Sequence, residues 1–255
     1  MTHATDAIFP PPAPLRPFKA LMAFRRLVQN KEDTSHVFDF LDHTCGASLR
    51  PAFHRFMDGP NGALLTRQDP QALLRAFDDR ARLRSLPVGT VGRTYADFMD
   101  REGLSTNGVT EASQTARSSA CASKAAYPDY AAFVGFLNLT HDMFHVLTGY
   151  NRDSLGEAAL LQYTSRIDGS RGARLLGHMA ALQIKREAPG LPVFKVMANG
   201  RAMADRSSDL IQADFIGMLD RPLRQVREDL HIVPDPVYAS LPQEKLLGLV
   251  QPQAG

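Results

Sequence analysis

The sequence has no tryptophan and only two cysteines, Cys45 and Cys121, far apart and without a Cys-x-x-Cys pair. Idle or buried thiols in a reducing compartment are therefore expected rather than a disulfide framework. No uninterrupted apolar run approaches the ~20 residues that a membrane-spanning helix needs. Neither sign of charge is in excess: 29 Lys and Arg against 27 Asp and Glu leave +2. That balance gives no footing for nucleic-acid binding, and none is expected. The start of the chain lacks a basic segment followed by an apolar one, so no secretory signal is expected. Asp6 and the Pro10-Pro11-Pro12 run also fit a transit peptide poorly, which makes a cytoplasmic protein the default. Strand signals are scarce as well. The Asn61-Gly62 and Asn199-Gly200 pairs are flanked by helix-like sequence rather than by two alternating runs.

What is present suits one globular domain. The 255 residues, 44% hydrophobic and 22% charged, can bury a sizeable core. The pattern predicts an all-α, single-domain helical bundle over 15–255, preceded by a disordered, proline-rich leader at 1–14. LRPFKALMAFRRLVQN places Phe18, Leu21, Met22 and Val28 at helical spacing, with Lys19, Arg25 and Arg26 opposite. This reads as a first core helix, with attachment to an anionic membrane surface as the alternative. NKEDTSHVFDFLDHTCG follows, with Asp33 or Thr34 as N-cap and Gly46 as stop. Gln68 to Leu83 reads as a helix entered through Asp69-Pro70, and RTYADFMDREGL as one with Tyr95, Phe98 and Met99 inward. LPVGTVG is no phosphate loop, since neither the Gly-Lys-Ser/Thr ending nor a preceding apolar strand is there. A Ser/Thr/Ala-rich loop is expected at about 105–128.

The chemistry-bearing stretch is HDMFHVLTGYNRDSLGE, His141 to Glu157. On a helix from Tyr130 to Thr148, His141 and His145 lie ~40° apart on one face, with Asp142 ~60° from His145. Glu157 is twelve positions beyond His145, out of reach along an unbroken helix. Gly149-Tyr150-Asn151, however, is a helix stop, and Asp153-Ser154 a good N-cap for a second helix. Folded back antiparallel, that second helix brings Glu157 to the histidines. The resulting nitrogen and oxygen donors suit Zn, Fe(II), Mn or Co. The competing account is a core helix that happens to carry polar residues, with Glu157 offsetting a helix N-terminus. Burying three ionisable groups among Phe133, Phe136, Leu139, Met143 and Phe144 is nevertheless costly without a cation or hydrogen bonds.

The pattern H-D-x-x-H, then eleven residues, then E, flanked by VLTGY, resembles the signature of the coenzyme Q biosynthesis protein 4 family. Three more blocks resemble that family in the same order. They are NKEDTSHVF, SLPVGTVGRTYADFMDREGL and LDRPLRQVREDLHI, and with the motif they cover most of the chain from Phe18 to Ile232. The chain departs from the family in FVGFLNLT before the His-Asp pair, in Phe215 at a tryptophan position, and in the 105–124 loop.

The resemblance implies an all-helical protein at a membrane surface, peripheral to the inner membrane, handling polyprenylated benzoquinone precursors. It implies a divalent metal, zinc first and Fe, Co or Mn as alternatives, on His141, Asp142, His145 and Glu157. The implied activity is removal of the C1 carboxyl group from a prenylated 4-hydroxybenzoate-derived ring, in one version with C1 hydroxylation. Other ubiquinone-synthesis enzymes are the implied partners, and a homodimer is a further expectation. The contrasting reading is a non-catalytic scaffold that binds lipid or quinone intermediates. A metal-dependent phosphohydrolase, suggested by the bare His-Asp pair, would usually add a separate upstream His and a downstream Asp, and no such arrangement stands out in the sequence. ALLQYT and ARLLGHMAAL could line a channel for the tail or simply pack helices. His36, His43, His54 and His178 read as core histidines, and Arg221, Arg224 and Arg227 as helix-end solvation or a contact with anionic lipid or a partner.

Overall fold

Prolines and glycines set many of the helix limits in this chain. Pro17 opens α1 (Pro17–Gln29), and α2 (Ser35–Thr44) runs back against it. Pro51 lies in the first turn of α3 (Arg50–Asp58) and Pro60 opens the short α4 (Pro60–Ala63). A π-helical turn at Leu64–Gln68 leads to α5 (Ala72–Asp78), α6 (Arg80–Ser85) and α7 (Val91–Arg101). The second half holds α8 (Pro128–Thr148), α9 (Ser154–Asp168), α10 (Arg171–Glu187) and α11 (Val193–Arg206). Two short helices follow, α12 (Leu223–Asp229) and α13 (Pro236–Ala239). This computed structural model describes residues 9–29, 35–106, 126–242, 244 and 246. Among them no strand occurs, only an isolated bridge between Thr90 and Pro222. The fold is all-α, as the patterning predicts.

Aromatic residues tie the halves together. Phe53 and Phe56 of α3 meet Phe133 of α8 at 5.7 and 5.4 Å between ring centroids, and Phe136 meets Phe215 at 5.7 Å edge-on. Tilted and edge-to-face contacts of this kind add to simple area burial. Phe215 thus fills with a benzyl ring the place where a tryptophan was expected. α9 runs through the middle, packed mainly on α10 and α11, and it touches α8 over only a short stretch rather than side by side along its length. Small residues permit this packing. A Cβ on Gly200 would stand 2.8 Å from the Ala159 carbonyl, and one on Gly177 would stand 2.7 Å from the Gln162 side chain. ALLQYT and ARLLGHMAAL therefore spend most of their apolar residues on helix packing.

Three expectations change. Phe18, Leu21 and Met22 are not core residues: they are 74%, 47% and 38% exposed, and α1 instead buries Ala20 and Ala23. The wide side chains cannot fit where α1 lies close on α2, so the helix turns its alanines inward. The single helix expected from Gln68 to Leu83 is two, because Asp79 leaves helical geometry and caps α6 by accepting from the Arg82 N–H at 3.1 Å. The leader is not wholly loose: Phe9 is buried against Phe53 and Tyr130 at 5.5 and 5.1 Å. The loop at about 105–128 falls mostly on positions 107–125, and Cys121, Asp33 and Thr34 likewise lie outside the described residues.

Candidate metal centre

α8 is apolar almost all round, and its few hydroxyls are hidden by the helix itself. Thr140 and Thr148 donate to the carbonyls of Phe136 and Phe144 at 2.8 and 2.7 Å. Gly149 then adopts φ +80, a left-handed conformation that glycine takes at little cost, and the helix stops. Arg227 of α12 covers this end. Its Nε and Nη2 donate to the carbonyls of Leu147 and Val146 at 2.8 and 2.9 Å, placing a cation where the helix dipole is negative. Four residues after Gly149, Asp153 caps α9, its Oδ1 accepting from Leu155 N at 3.1 Å and Gly156 N at 3.0 Å. Glu157 falls in the first turn of α9, where a carboxylate is favoured.

This turn gathers three of the four residues singled out from the sequence. One ligand atom each of His141, His145 and Glu157 lie within 4.8 Å of one another. His145 Nε2 is 3.4 Å from Glu157 Oε1, and His141 Nε2 is 3.8 Å from Glu157 Oε2. Donors on a tetrahedral ion at about 2.0–2.2 Å stand roughly 3.3–3.6 Å apart, so small side-chain adjustments would suffice. The imidazoles meet nearly perpendicular, with centroids 5.1 Å apart. Asp142 is not in the group. It is 6% exposed and close enough to Tyr95 for its charge to act on that hydroxyl. His36, His43, His54 and His178 stay outside the group too. His178 is exposed and bonded through Nδ1 to the Arg174 carbonyl at 2.7 Å.

His145 is set for ligation. Its Nδ1–H donates to the Tyr150 carbonyl at 2.8 Å, which in the neutral ring leaves the Nε2 lone pair free. Phe98 stacks on the ring at 5.4 Å and 23°. His145 Nε2 is buried without a hydrogen-bond partner, 3.4 Å from Glu157 Oε1. A buried, unsatisfied nitrogen aimed at a carboxylate is what a cation would relieve. His141 and Glu157 keep about a third of their side chains accessible, 32% and 33%, so the recess opens to solvent at that edge. Arg152 Nε stands 4.0 Å from Glu157 Oε1 on the same rim.

Burial pushes both imidazoles toward the neutral form. For His141 burial prevails and its pKa is lowered, the Glu157 charge notwithstanding. For His145 the adjacent Glu157 carboxylate outweighs burial and the pKa is raised. Glu157 is held at about 2: burial would raise it, but His145, His141 and Arg152 together keep it ionised. The site therefore combines a fixed negative charge with one imidazole whose pKa is lowered, His141, and one whose pKa is raised, His145.

Several contributors were not evident in the sequence. Tyr150 acts through its backbone oxygen, which no side-chain pattern reveals. Phe98 belonged to a stretch correctly read as inward-facing, but nothing in it pointed to His145. Arg152 lay inside the key stretch and could have been flagged by its charge.

The chain is similar to several known proteins. No family model matches it. It is 29% identical over 119 residues to the ubiquinone biosynthesis protein COQ4, mitochondrial, of Yarrowia lipolytica, covering 45% of this chain and 41% of that protein. It is 27% identical over 197 residues to the coq4 protein of Aspergillus niger, covering 74% and 63%. The chain is thus similar to members of the coenzyme Q biosynthesis protein 4 family. A shorter match to the coq-4 protein of Neurospora crassa reaches 32% over 127 residues, 48% of this chain and 33% of that one. The matched regions thus span between a third and two thirds of these mitochondrial relatives' lengths. In fold the chain is similar to the crystal structure of a Nostoc punctiforme protein provisionally assigned to ubiquinone biosynthesis. The TM-score is 0.59 at 19% identity, over 85% of this chain and 98% of the other.

Proposed function

We propose that this protein acts in ubiquinone biosynthesis as a metal-dependent decarboxylase, removing the C1 carboxyl group from a polyprenylated, 4-hydroxybenzoate-derived ring. The observation that carries the proposal is the convergence of His141, His145 and Glu157 around an unsatisfied His145 Nε2. The names of the relatives supply the pathway, and the donor set supplies the chemistry. His141, His145 and Glu157 would hold a divalent ion, with zinc first and Fe, Co or Mn compatible with the same nitrogen and oxygen donors. When bound, such an ion supplies Lewis acidity and a fixed point for a substrate carboxylate.

The chain's own groups account for the rest. The Tyr150 carbonyl holds the His145 ring in one tautomer and orientation. Arg152 adds a positive charge at the open rim, suited to drawing in a carboxylate. As carbon dioxide leaves, the electrons of the broken bond remain on C1 and must be met by a proton. Asp142, buried beside Tyr95 and outside the three-donor group, is the candidate proton donor. The net change replaces carboxylate by hydrogen, whereas a version ending in C1 hydroxylation would place the oxygen of water on C1 and pass the two electrons to dioxygen, releasing hydrogen peroxide.

Work at a membrane surface fits a prenylated substrate. α1 supports it by exposing Phe18, Leu21 and Met22 beside Arg16, Lys19, Arg25 and Arg26. No helix among the described residues is long and apolar enough to cross a membrane. The test is turnover: metal-loaded protein given a prenylated 4-hydroxybenzoate-type acid in detergent should release carbon dioxide, and Glu157→Gln should not. Wild-type protein that retains the acid without converting it would replace this reading with that of a scaffold.

A further inference from the structure

We propose that Tyr238, on the short helix α13 more than ninety residues beyond the histidines, is a positioning residue for the His145–Glu157 pair. The inference rests on the metal-site reading above and adds to it a remote support. α13 begins at Asp235, whose Oδ1 accepts from Val237 N at 2.9 Å and from Asn199 Nδ2 of α11 at 2.7 Å. Its Oδ2 accepts from the Tyr150 hydroxyl at 3.4 Å. So anchored, α13 delivers the Tyr238 side chain, 4% exposed, to the turn between α8 and α9.

There the Tyr238 hydroxyl joins both sides of the site. It donates to Asp153 Oδ2 and accepts from the Asn151 N–H at 3.0 Å. Asp153 is the cap that starts α9, and Glu157 N closes the first helical turn on the Asp153 carbonyl at 2.9 Å. Asn151 directly follows Tyr150, whose carbonyl orients His145. One hydroxyl therefore fixes the spacing between the backbone that holds His145 and the helix end that holds Glu157. Gly156 lets it come this close, since a Cβ there would stand 2.8 Å from the Tyr238 hydroxyl and 2.1 Å from the Asn151 carbonyl.

Groups that orient metal ligands at one remove commonly change affinity by 10–100-fold when removed. Tyr238→Phe keeps the ring and its 5.1 Å edge contact with Tyr150 but loses the hydroxyl. The experiment titrates Zn²⁺ and Co²⁺ into wild type, Tyr238→Phe and Tyr163→Phe. The same proteins are followed by thermal melting and by amide hydrogen exchange at Asn151, Leu155 and Gly156. Tyr163→Phe is the control, because it removes a buried hydroxyl bonded to Ser207 at 3.0 Å that plays no part in this turn.

Tyr238→Phe is expected to weaken metal binding about tenfold, alter the Co²⁺ absorption bands and speed exchange at the three amides. Tyr163→Phe should lower the melting temperature without any of these. Unchanged affinity, bands and exchange in Tyr238→Phe, or equal effects from the two variants, would overturn the proposal. Should wild type bind neither ion, the metal-site reading fails by itself, and the exchange comparison still decides whether Tyr238 holds the turn.

Discussion

α8 carries His141, Asp142 and His145 in a helix that is apolar on almost every side, whereas α1 carries Phe18, Leu21 and Met22 on the side it turns to solvent. Both depart from the ordinary rule of apolar inside and polar outside, in opposite senses. In α8 the cost falls on buried ionisable groups and is offset locally by the Tyr150 carbonyl, the Glu157 charge and the Arg227 cap. Nothing comparable offsets the exposed face of α1. Surface hydrophobes in isolation need no explanation, but these three sit together beside four cationic side chains. A buried polar group implies a partner inside the protein, and a clustered apolar face implies one outside it.

The contrast can be broken most sharply at Glu157. Glu157→Gln keeps the shape and removes the charge, and metal affinity should fall by a hundredfold or more, with turnover lost. Near-normal affinity in isothermal titration would place the ion, if any, elsewhere.

Acid should separate the metal-free and metal-bound proteins next. The raised pKa of His145 contributes stability fully present below its ordinary value of 6.5 and lost as pH rises through its higher folded value. The depressed pKa of Glu157 contributes stability present above its ordinary 4.5 and lost as pH falls toward about 2. The pair therefore helps the metal-free protein most between 4.5 and 6.5, with the lowered pKa of His141 working against it on the acid side. Metal binding needs both imidazoles neutral, so the rise in melting temperature given by metal should grow from about pH 6 to about pH 8. A metal effect independent of pH would exclude imidazole ligation.

A smaller effect is expected at the cap. Asp153→Ala should cost about 1 kcal/mol in denaturant unfolding, because two amides at the start of α9 lose their acceptor. The least effect on stability belongs to α1. Phe18→Ser should change unfolding by no more than about 0.5 kcal/mol. It should nevertheless weaken binding to vesicles containing anionic lipid. A large loss of stability would show that Phe18 is packed after all, and unaltered vesicle binding would remove the contrast between the two helices.

The sequence made some of this legible and left the rest hidden for identifiable reasons. Local signals were reliable: Gly149 stops α8, Asp153 starts α9, and Tyr95, Phe98 and Met99 face inward. Helical spacing together with a chain reversal was enough to bring His141, His145 and Glu157 together. It could not separate Asp142 from them, since one residue of helix rotation decides which way a side chain points. α1 was misjudged because periodicity identifies an apolar stripe but not whether anything covers it. Tyr238 and Arg227 were out of reach of any local pattern, as their roles arise from contacts across some eighty residues.

The central claim is that His141, His145 and Glu157 form one metal site. Elemental analysis of the purified protein beside His145→Ala tests it most directly. About one equivalent of a divalent metal in wild type, lost in the variant while helicity by circular dichroism is retained, is the expected result. No metal in either protein after reconstitution would contradict it and leave His145 as a polar residue in a core helix.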